Sequence, residues 1–376
     1  MADYKELIAE LVAAGEHPVK TITASMKETG KKAIGCFPLH IPEEIIYACN
    51  YLPVGMWGGK TELKLCDTYM QSFCCTIMRA NLEFGMRGTY NMLSGVVMST
   101  MCDTLKCVCE DWKIAVPQVP LIPVVYAQQR FHQEGIEYMK TEFQRVRHCL
   151  EKLEGRMVMD RDVEAAYEMY EDYRATMREF EATIANYPVT MDAYTRHLVI
   201  KASFFMDKAI YKEKIKAITA GLKAQPAEKF DGIRVIATGL MSEPNELLKI
   251  FKENNIAIVG DDLAQESRLW RTPGRKEGTV WEKMAYRVAD QKGDCFLYEP
   301  DKKRGQMMID QAKERNAKGV VVFMMKFCDP EEFDYPIYKK ELDDAGIPIL
   351  YLEVDQQIDS FEQLRTRIQS YAEMIG

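Results

Sequence analysis

GVVVFMMKFCDPEEFDYP, Gly319 to Pro336, joins an apolar run, an abrupt stop and a cysteine. Val320 to Met325 is short, continuous and apolar, the pattern of a parallel strand covered on both faces. The stop places Cys328 just past the strand, with Asp329 as a helix N-cap, Pro330 at the first helical position, and Glu331 and Glu332 in the first turn. In open α/β sheets ligands bind in the crevice beyond the carboxyl ends of the strands. Cys328 is therefore a candidate ligand or nucleophile. The alternative is an inert buried thiol, since free cysteine is among the most buried residue types.

The same pattern occurs earlier, where Val96-Val97-Met98 runs into Cys102-Asp103. The recurrence predicts an α/β protein with two similar parallel-sheet (Rossmann or flavodoxin-like) domains facing each other. Residues 1–31 read as a helical lead, with Leu7, Ile8, Leu11 and Val12 on one side of its first helix, and 32–132 as the first α/β domain. Residues 133–228 carry helical patterns and no strand-like run, a helical connector, and 229–376 form the second α/β domain. Strands are expected at Lys32 to Pro38, Tyr51 to Gly59, Leu93 to Ser99 and Pro117 to Val125, then at Phe230 to Gly239, Ile256 to Asp262, Cys295 to Tyr298, Gly319 to Met325 and Ile347 to Val354. Cys74 and Cys75 precede a helical pattern of Ile77, Leu82 and Phe84. Unsatisfied amide donors and the positive dipole end at such a helix start lower a thiolate's pKa and favour an anionic centre.

Composition excludes several classes. A formal charge of -8 with no basic block argues against nucleic-acid binding. No uncharged apolar run reaches the roughly 18 residues of a membrane span, and no leader pattern opens the chain, so a cytoplasmic location is expected. Eleven cysteines, an odd count, do not suggest a disulfide framework there and turn attention to metal or redox chemistry. No Gly-x-Gly-x-x-Gly follows a strand, and no Walker lysine motif is present.

Cys75, Cys102 and Cys328 each fall at the mouth of an α/β unit, and three converging thiolates would hold an iron-sulfur cluster with one iron left for another ligand. Their long separations leave this open. Cys102, Cys107 and Cys109 lack the paired spacing of structural zinc sites and continue into a helix through Trp112. His17, His132, His148 and His197 fall in helical or connecting segments away from strand ends, and His40, near a mouth, reads as a loop residue. Glu43 and Glu44 read as first-turn carboxylates, with acid-base work as the alternative. Asp261, Asp262, Glu266 and Arg268 follow a strand, and are either crevice-facing or a capped helix start with a local ion pair.

KKAIGCFPLHIPEEIIYA, PVGMWGG, CTIMRANLE, MCDTLKC, DDLAQESR, VVVFMMKFCDPEEFDYP and VDQQIDSFEQLRTRIQSYAEM together resemble the beta subunit of the 2-hydroxyacyl-CoA dehydratases, along nearly the whole chain. The resemblance is greatest to the lactyl-CoA and 2-hydroxyisocaproyl-CoA types, with the 2-hydroxyglutaryl-CoA and phenyllactyl-CoA enzymes as further alternatives and benzoyl-CoA reductase as a more distant relative. It implies a [4Fe-4S] cluster on Cys75, Cys102 and Cys328 with a fourth, non-cysteine ligand, Cys74 being the adjacent alternative to Cys75. It implies a heterodimer with an alpha subunit that binds most of the 2-hydroxyacyl-CoA, and an ATP-hydrolysing iron-sulfur activator that supplies one low-potential electron. In such enzymes reduction of the thioester to a ketyl radical lets hydroxide leave the alpha carbon and acidifies the beta proton, giving the 2-enoyl-CoA. The alternatives are a subunit of a benzoyl-CoA-reductase-like enzyme and a non-catalytic iron-sulfur partner protein. Phe73, Met101 and Phe327, beside the three cysteines, are expected to shield the centre from water.

Overall fold

Two four-stranded parallel sheets frame the computed structural model, which describes residues 3–376. The first contains β1 (Lys32–Cys36), β2 (Tyr51–Gly55), β3 (Leu93–Ser99) and β4 (Leu121–Val124) in the order β2-β1-β3-β4. The second contains β5 (Ile233–Gly239), β6 (Ile256–Leu263), β7 (Gly319–Met325) and β8 (Ile349–Val354) in the order β6-β5-β7-β8. The orders are the same, so β3 and β7, the strands that run into Cys-Asp, hold equivalent places. Order of this kind has its topological switch point between the first and third strands.

All seven residues of β7 are buried, and alternation explains how. Val321, Phe323 and Met325 enter a core shared with the first sheet, while Val320, Val322 and Met324 face the opposite core. The shared core takes Ala33, Leu52, Val96 and Met98 from the first sheet and Val235, Ala237 and Leu352 from the second. Gln356, just past β8, donates to the Trp57 carbonyl (2.8 Å) and accepts from the Gly59 amide (3.0 Å). Gly58 lies at φ +74°, and a Cβ there would sit 2.4 Å from the Gln356 Oε1, so this seam requires glycine.

The lead is α1 (Tyr4–Glu16) and α2 (Pro18–Thr29), with Leu7, Ile8 and Leu11 buried. Further helices of the first half are α3 (Glu43–Ala48), α4 (Thr76–Met86) and α5 (Asp103–Ala115). The connector is helical, with α6 (Gln133–Glu154), α7 (Asp160–Ile184), α8 (Ala193–Ala202) and α9 (Lys208–Lys223). The second half adds α10 (Asn245–Glu253), α11 (Val280–Ala289), α12 (Arg304–Arg315), α13 (Asp329–Asp344) and α14 (Glu362–Ile375).

Three expectations change. Cys295 to Tyr298 is a turn, not a strand, because neighbouring carboxylates take the backbone donors a ladder would use: Asp294 accepts from the Phe296 amide (3.0 Å) and Glu299 from the Gly293 amide (2.7 Å). Asp262 does pair with Arg268 (3.0 Å), but both Asp261 and Asp262 end β6, and only a short turn of 3-10 helix, Ser267–Leu269, follows. His197, on α8, is not remote from the strand ends. It is buried against Ser242 (3.0 Å), Glu266 (3.2 Å) and Glu243 (3.4 Å), which follow β5 and β6. Beside it Arg196 pairs with Glu266 and Asp261, pinning the connector to the second sheet.

α11 is signalled by Thr279 and Glu282, which form a capping box. Although it belongs to the second half of the chain, Val280, Trp281, Met284 and Val288 pack with Ile34, Val97 and α6 in the first.

Burial alone would lower the His197 pKa, but hydrogen bonds that its ring donates to the two glutamates outweigh it and hold the value above 6.5. A folded pKa above the unfolded one means that the stabilisation is complete below pH 6.5 and fades as pH rises through the folded value. The urea midpoint of wild type should exceed that of His197→Gln by more below pH 6.5 than well above it. A gap that is constant or grows with pH would contradict this assignment.

Candidate functional site

The residues just past β1, β3, β5 and β7 meet at one cavity of about 450 Å³. Pro38 and Leu39 come from β1, Met101 and Cys102 from β3, Leu240 from β5, and Phe327 and Cys328 from β7. Cys75 closes another side from the start of α4. The four central strands of the two sheets thus deliver their carboxyl ends, flanking both switch points, to the same space.

All three cysteines are helix N-caps: Cys75 of α4, Cys102 of α5 and Cys328 of α13. The Leu105 amide donates to the Cys102 sulfur at 3.4 Å, and Cys75 and Cys328 hold the same position at the starts of α4 and α13. The positive ends of three helix dipoles therefore lie at three cysteines around one cavity. α13 begins one residue earlier than expected, so that the thiol of Cys328, rather than Asp329, takes the cap position. Phe327 makes this turn at φ +62°, a left-handed conformation that costs a non-glycine residue about 1–2 kcal/mol. Of the adjacent pair, Cys75 lines the cavity and Cys74 does not.

Burial pushes the Cys75 thiol up to about 12 and Cys102 up to about 11, against the opposing pull of the amide donors. Burial likewise raises Cys328, and the three sulfurs repel one another's charge. Burial thus favours the protonated thiols, and a positively charged centre bound there would draw off the protons. Among the described residues no three His, Cys, Asp or Glu side chains close on a single point as ligands of one metal ion do.

The model of the family described as 2-hydroxyglutaryl-CoA dehydratase, D-component, matches residues 38–375. The chain belongs to this family. It is 41% identical over 374 residues to the (R)-phenyllactyl-CoA dehydratase beta subunit of Clostridium sporogenes, covering 99% of this chain and 98% of the relative. It is 40% identical over 378 residues to the lactoyl-CoA dehydratase subunit beta of Anaerotignum propionicum, covering 100% of both. To a benzoyl-CoA reductase subunit of Thauera aromatica it is 23% identical over 378 residues, covering 98% of both.

The remaining polar candidates of this dehydratase-family chain lie elsewhere. Cys107 is exposed and Cys109 buried along α5, and neither reaches the cavity. Glu43 and Glu44 occupy the first turn of α3, where Glu43 accepts from the Tyr170 hydroxyl (3.0 Å) and Glu44 pairs with Arg174. They line a second, smaller cavity of about 90 Å³ that shares Pro38, Leu39 and Trp57 with the first. His40 bonds to the buried Asp294 at 2.8 Å. Asp261 and Asp262 are absent from the main cavity wall. Phe73 is 66% exposed and does not line the cavity, and Phe327 is 38% exposed at its mouth, so on this chain they leave the mouth uncovered; Met101 alone of the three is packed against the core. Cys295 also lines the cavity, and sequence reading misses it because its aromatic neighbours resemble a strand.

Exposure and thiol acidity together predict an order of reactivity, because the thiolate is the nucleophile. Brief alkylation of the iron-free native chain should modify Cys107 well ahead of Cys75, Cys102 and Cys328, read by peptide mass. Cys75 reacting as fast as Cys107 would contradict the buried cap geometry.

Proposed function

We propose that this chain is the beta subunit of a heterodimeric 2-hydroxyacyl-CoA dehydratase, a lyase, and that Cys75, Cys102 and Cys328 hold a [4Fe-4S] cluster. The observation that carries the reading is the meeting of three helix-capping cysteines, from three distant segments, at one cavity between the strand ends of both sheets. The donor set fits such a centre. Three thiols wall a space of about 450 Å³, and iron-sulfur clusters are held by thiolates. When bound, a cluster of this type supplies one-electron transfer at low potential, tuned by burial and by hydrogen bonds to sulfur.

The work of the chain's own residues follows. The Leu105 amide donates to the Cys102 sulfur, and the N-termini of α4, α5 and α13 lie at the three cysteines, which favours the reduced, more negative state. Leu39, Trp57, Ile77, Met78 and Leu240 provide apolar wall that keeps water from the inner side. The mouth is bordered by exposed Phe327 and Phe333, and Ile337 extends this apolar strip along α13. A partner subunit seated there would complete the shielding that Phe73 and Phe327 do not provide alone. The role is that of a relay: the electron comes from an ATP-hydrolysing activator and passes to the alpha subunit, where the 2-hydroxyacyl-CoA is dehydrated. Identity favours the dehydratase over the benzoyl-CoA reductase reading, at 41% and 40% against 23%.

An anaerobic assay combining this chain with its alpha subunit and activator tests the proposal. 2-Enoyl-CoA should form from 2-hydroxyacyl-CoA with ATP consumed in less than stoichiometric amount, and Cys328→Ala should reduce the rate to background. Wild-type rates with Cys328→Ala, or no dehydration by the wild-type complex, would sink it.

A further inference from the structure

The two first-turn glutamates of α13 have opposite surroundings. Glu332 is exposed, as a solvated first-turn carboxylate would be, but Glu331 is fully buried, three residues beyond Cys328. Its carboxylate accepts from Arg304 (2.6 Å), Arg268 (2.9 Å) and the Cys295 thiol (3.3 Å). It lies in the first turn of α13, the helix that Cys328 caps. One residue therefore shares a helix turn with Cys328 and reaches a buried charge cluster through its side chain.

That cluster is balanced. Arg268, Arg271 and Arg304 converge on Asp262, while Arg304 also holds Asp334 (3.2 Å). Asp294, the next nearest carboxylate, is engaged by His40 (2.8 Å) and lies 3.7 Å from Arg268. With Lys302 also on Asp334 (3.1 Å), three arginines and a lysine face four carboxylates, Asp262, Asp294, Glu331 and Asp334, and of these Glu331 is the nearest in sequence to a proposed ligand. A helix start needs no such arrangement, since an exposed carboxylate would serve the dipole equally well. Buried charge next to a redox centre acts on its potential with little screening.

We propose that Glu331, one turn from Cys328, is a positioning residue that sets the reduction potential of the centre on Cys75, Cys102 and Cys328 by offsetting the Arg268 and Arg304 charge behind it. The proposal rests on the cluster reading given above. Cys295, hydrogen-bonded to Glu331 on the same cavity wall, belongs to this supporting layer and is not a ligand. Removing the Glu331 charge leaves a net positive charge at the base of the site, which favours the state with the additional electron.

The test is a redox titration, followed by electron paramagnetic resonance, of the anaerobically purified heterodimer. Glu331→Gln should keep the wild-type iron content and shift the midpoint to less negative values. Glu331→Asp, which retains the charge, should stay close to wild type. Arg304→Gln should shift the midpoint the other way, and it carries the test if Glu331→Gln yields no folded chain. Cys295→Ala should still hold iron. Unshifted midpoints in iron-loaded Glu331→Gln and Arg304→Gln would overturn the proposal, as would loss of iron from Cys295→Ala, which would make Cys295 a ligand. A wild-type heterodimer without iron would instead refute the underlying cluster reading.

Discussion

Parallel strands send every carboxyl end to the same edge of a sheet, and in this chain two such edges face one another. Everything at the site depends on that constraint. A thiol three residues past β3 and another three residues past β7 reach one cavity because those strands have equivalent ranks in two sheets of the same order. The shared core of Val321, Phe323, Val96 and Met98 fixes the sheets against each other, and the Gln356 contacts to Trp57 and Gly59 tie the seam beside Cys75. The helix caps then give the cavity its polarity: three dipoles turn their positive ends toward three sulfurs, a disposition suited to an anionic centre.

Behind the sulfurs lies a second layer that is ionic where the first is covalent in purpose. Buried arginine and carboxylate pairs contribute little net stability, because desolvation offsets most of the attraction, but breaking one is costly. Such a layer holds geometry more than it adds stability. Arg196 joins the helical connector to β6, and Arg268 and Arg304 join α12 and the β6 exit to the first turn of α13. The connector is thus part of the site's support rather than a spacer between sheets.

Much of this is legible in the sequence, and the failures have physical causes. β3 and β7 can be read to their observed bounds because both are buried on two faces and carry unbroken apolar runs. The Cys-Asp recurrence points to the paired sheets for the same reason. Which of Cys74 and Cys75 faces the cavity depends on the rotation of one residue at a helix cap, and no periodicity records that. His197 is misplaced by pattern alone because its partners, Glu243 and Glu266, are brought to α8 only by tertiary packing. Cys295 is hidden by Phe296, Leu297 and Tyr298, whose side chains suit a strand while Asp294 and Glu299 capture the local backbone instead. Glu331 is legible as a first-turn carboxylate, but its burial is not, since the arginines that surround it lie 27 and 63 residues away.

The most direct test of the central claim uses the adjacent pair. Iron and acid-labile sulfide per chain would be measured on the anaerobically co-purified heterodimer, comparing wild type with Cys74→Ala and Cys75→Ala. The account predicts that wild type and Cys74→Ala carry about four irons on this subunit and that Cys75→Ala loses them. Iron retained by Cys75→Ala, or absent from wild type under strict exclusion of oxygen, would contradict it.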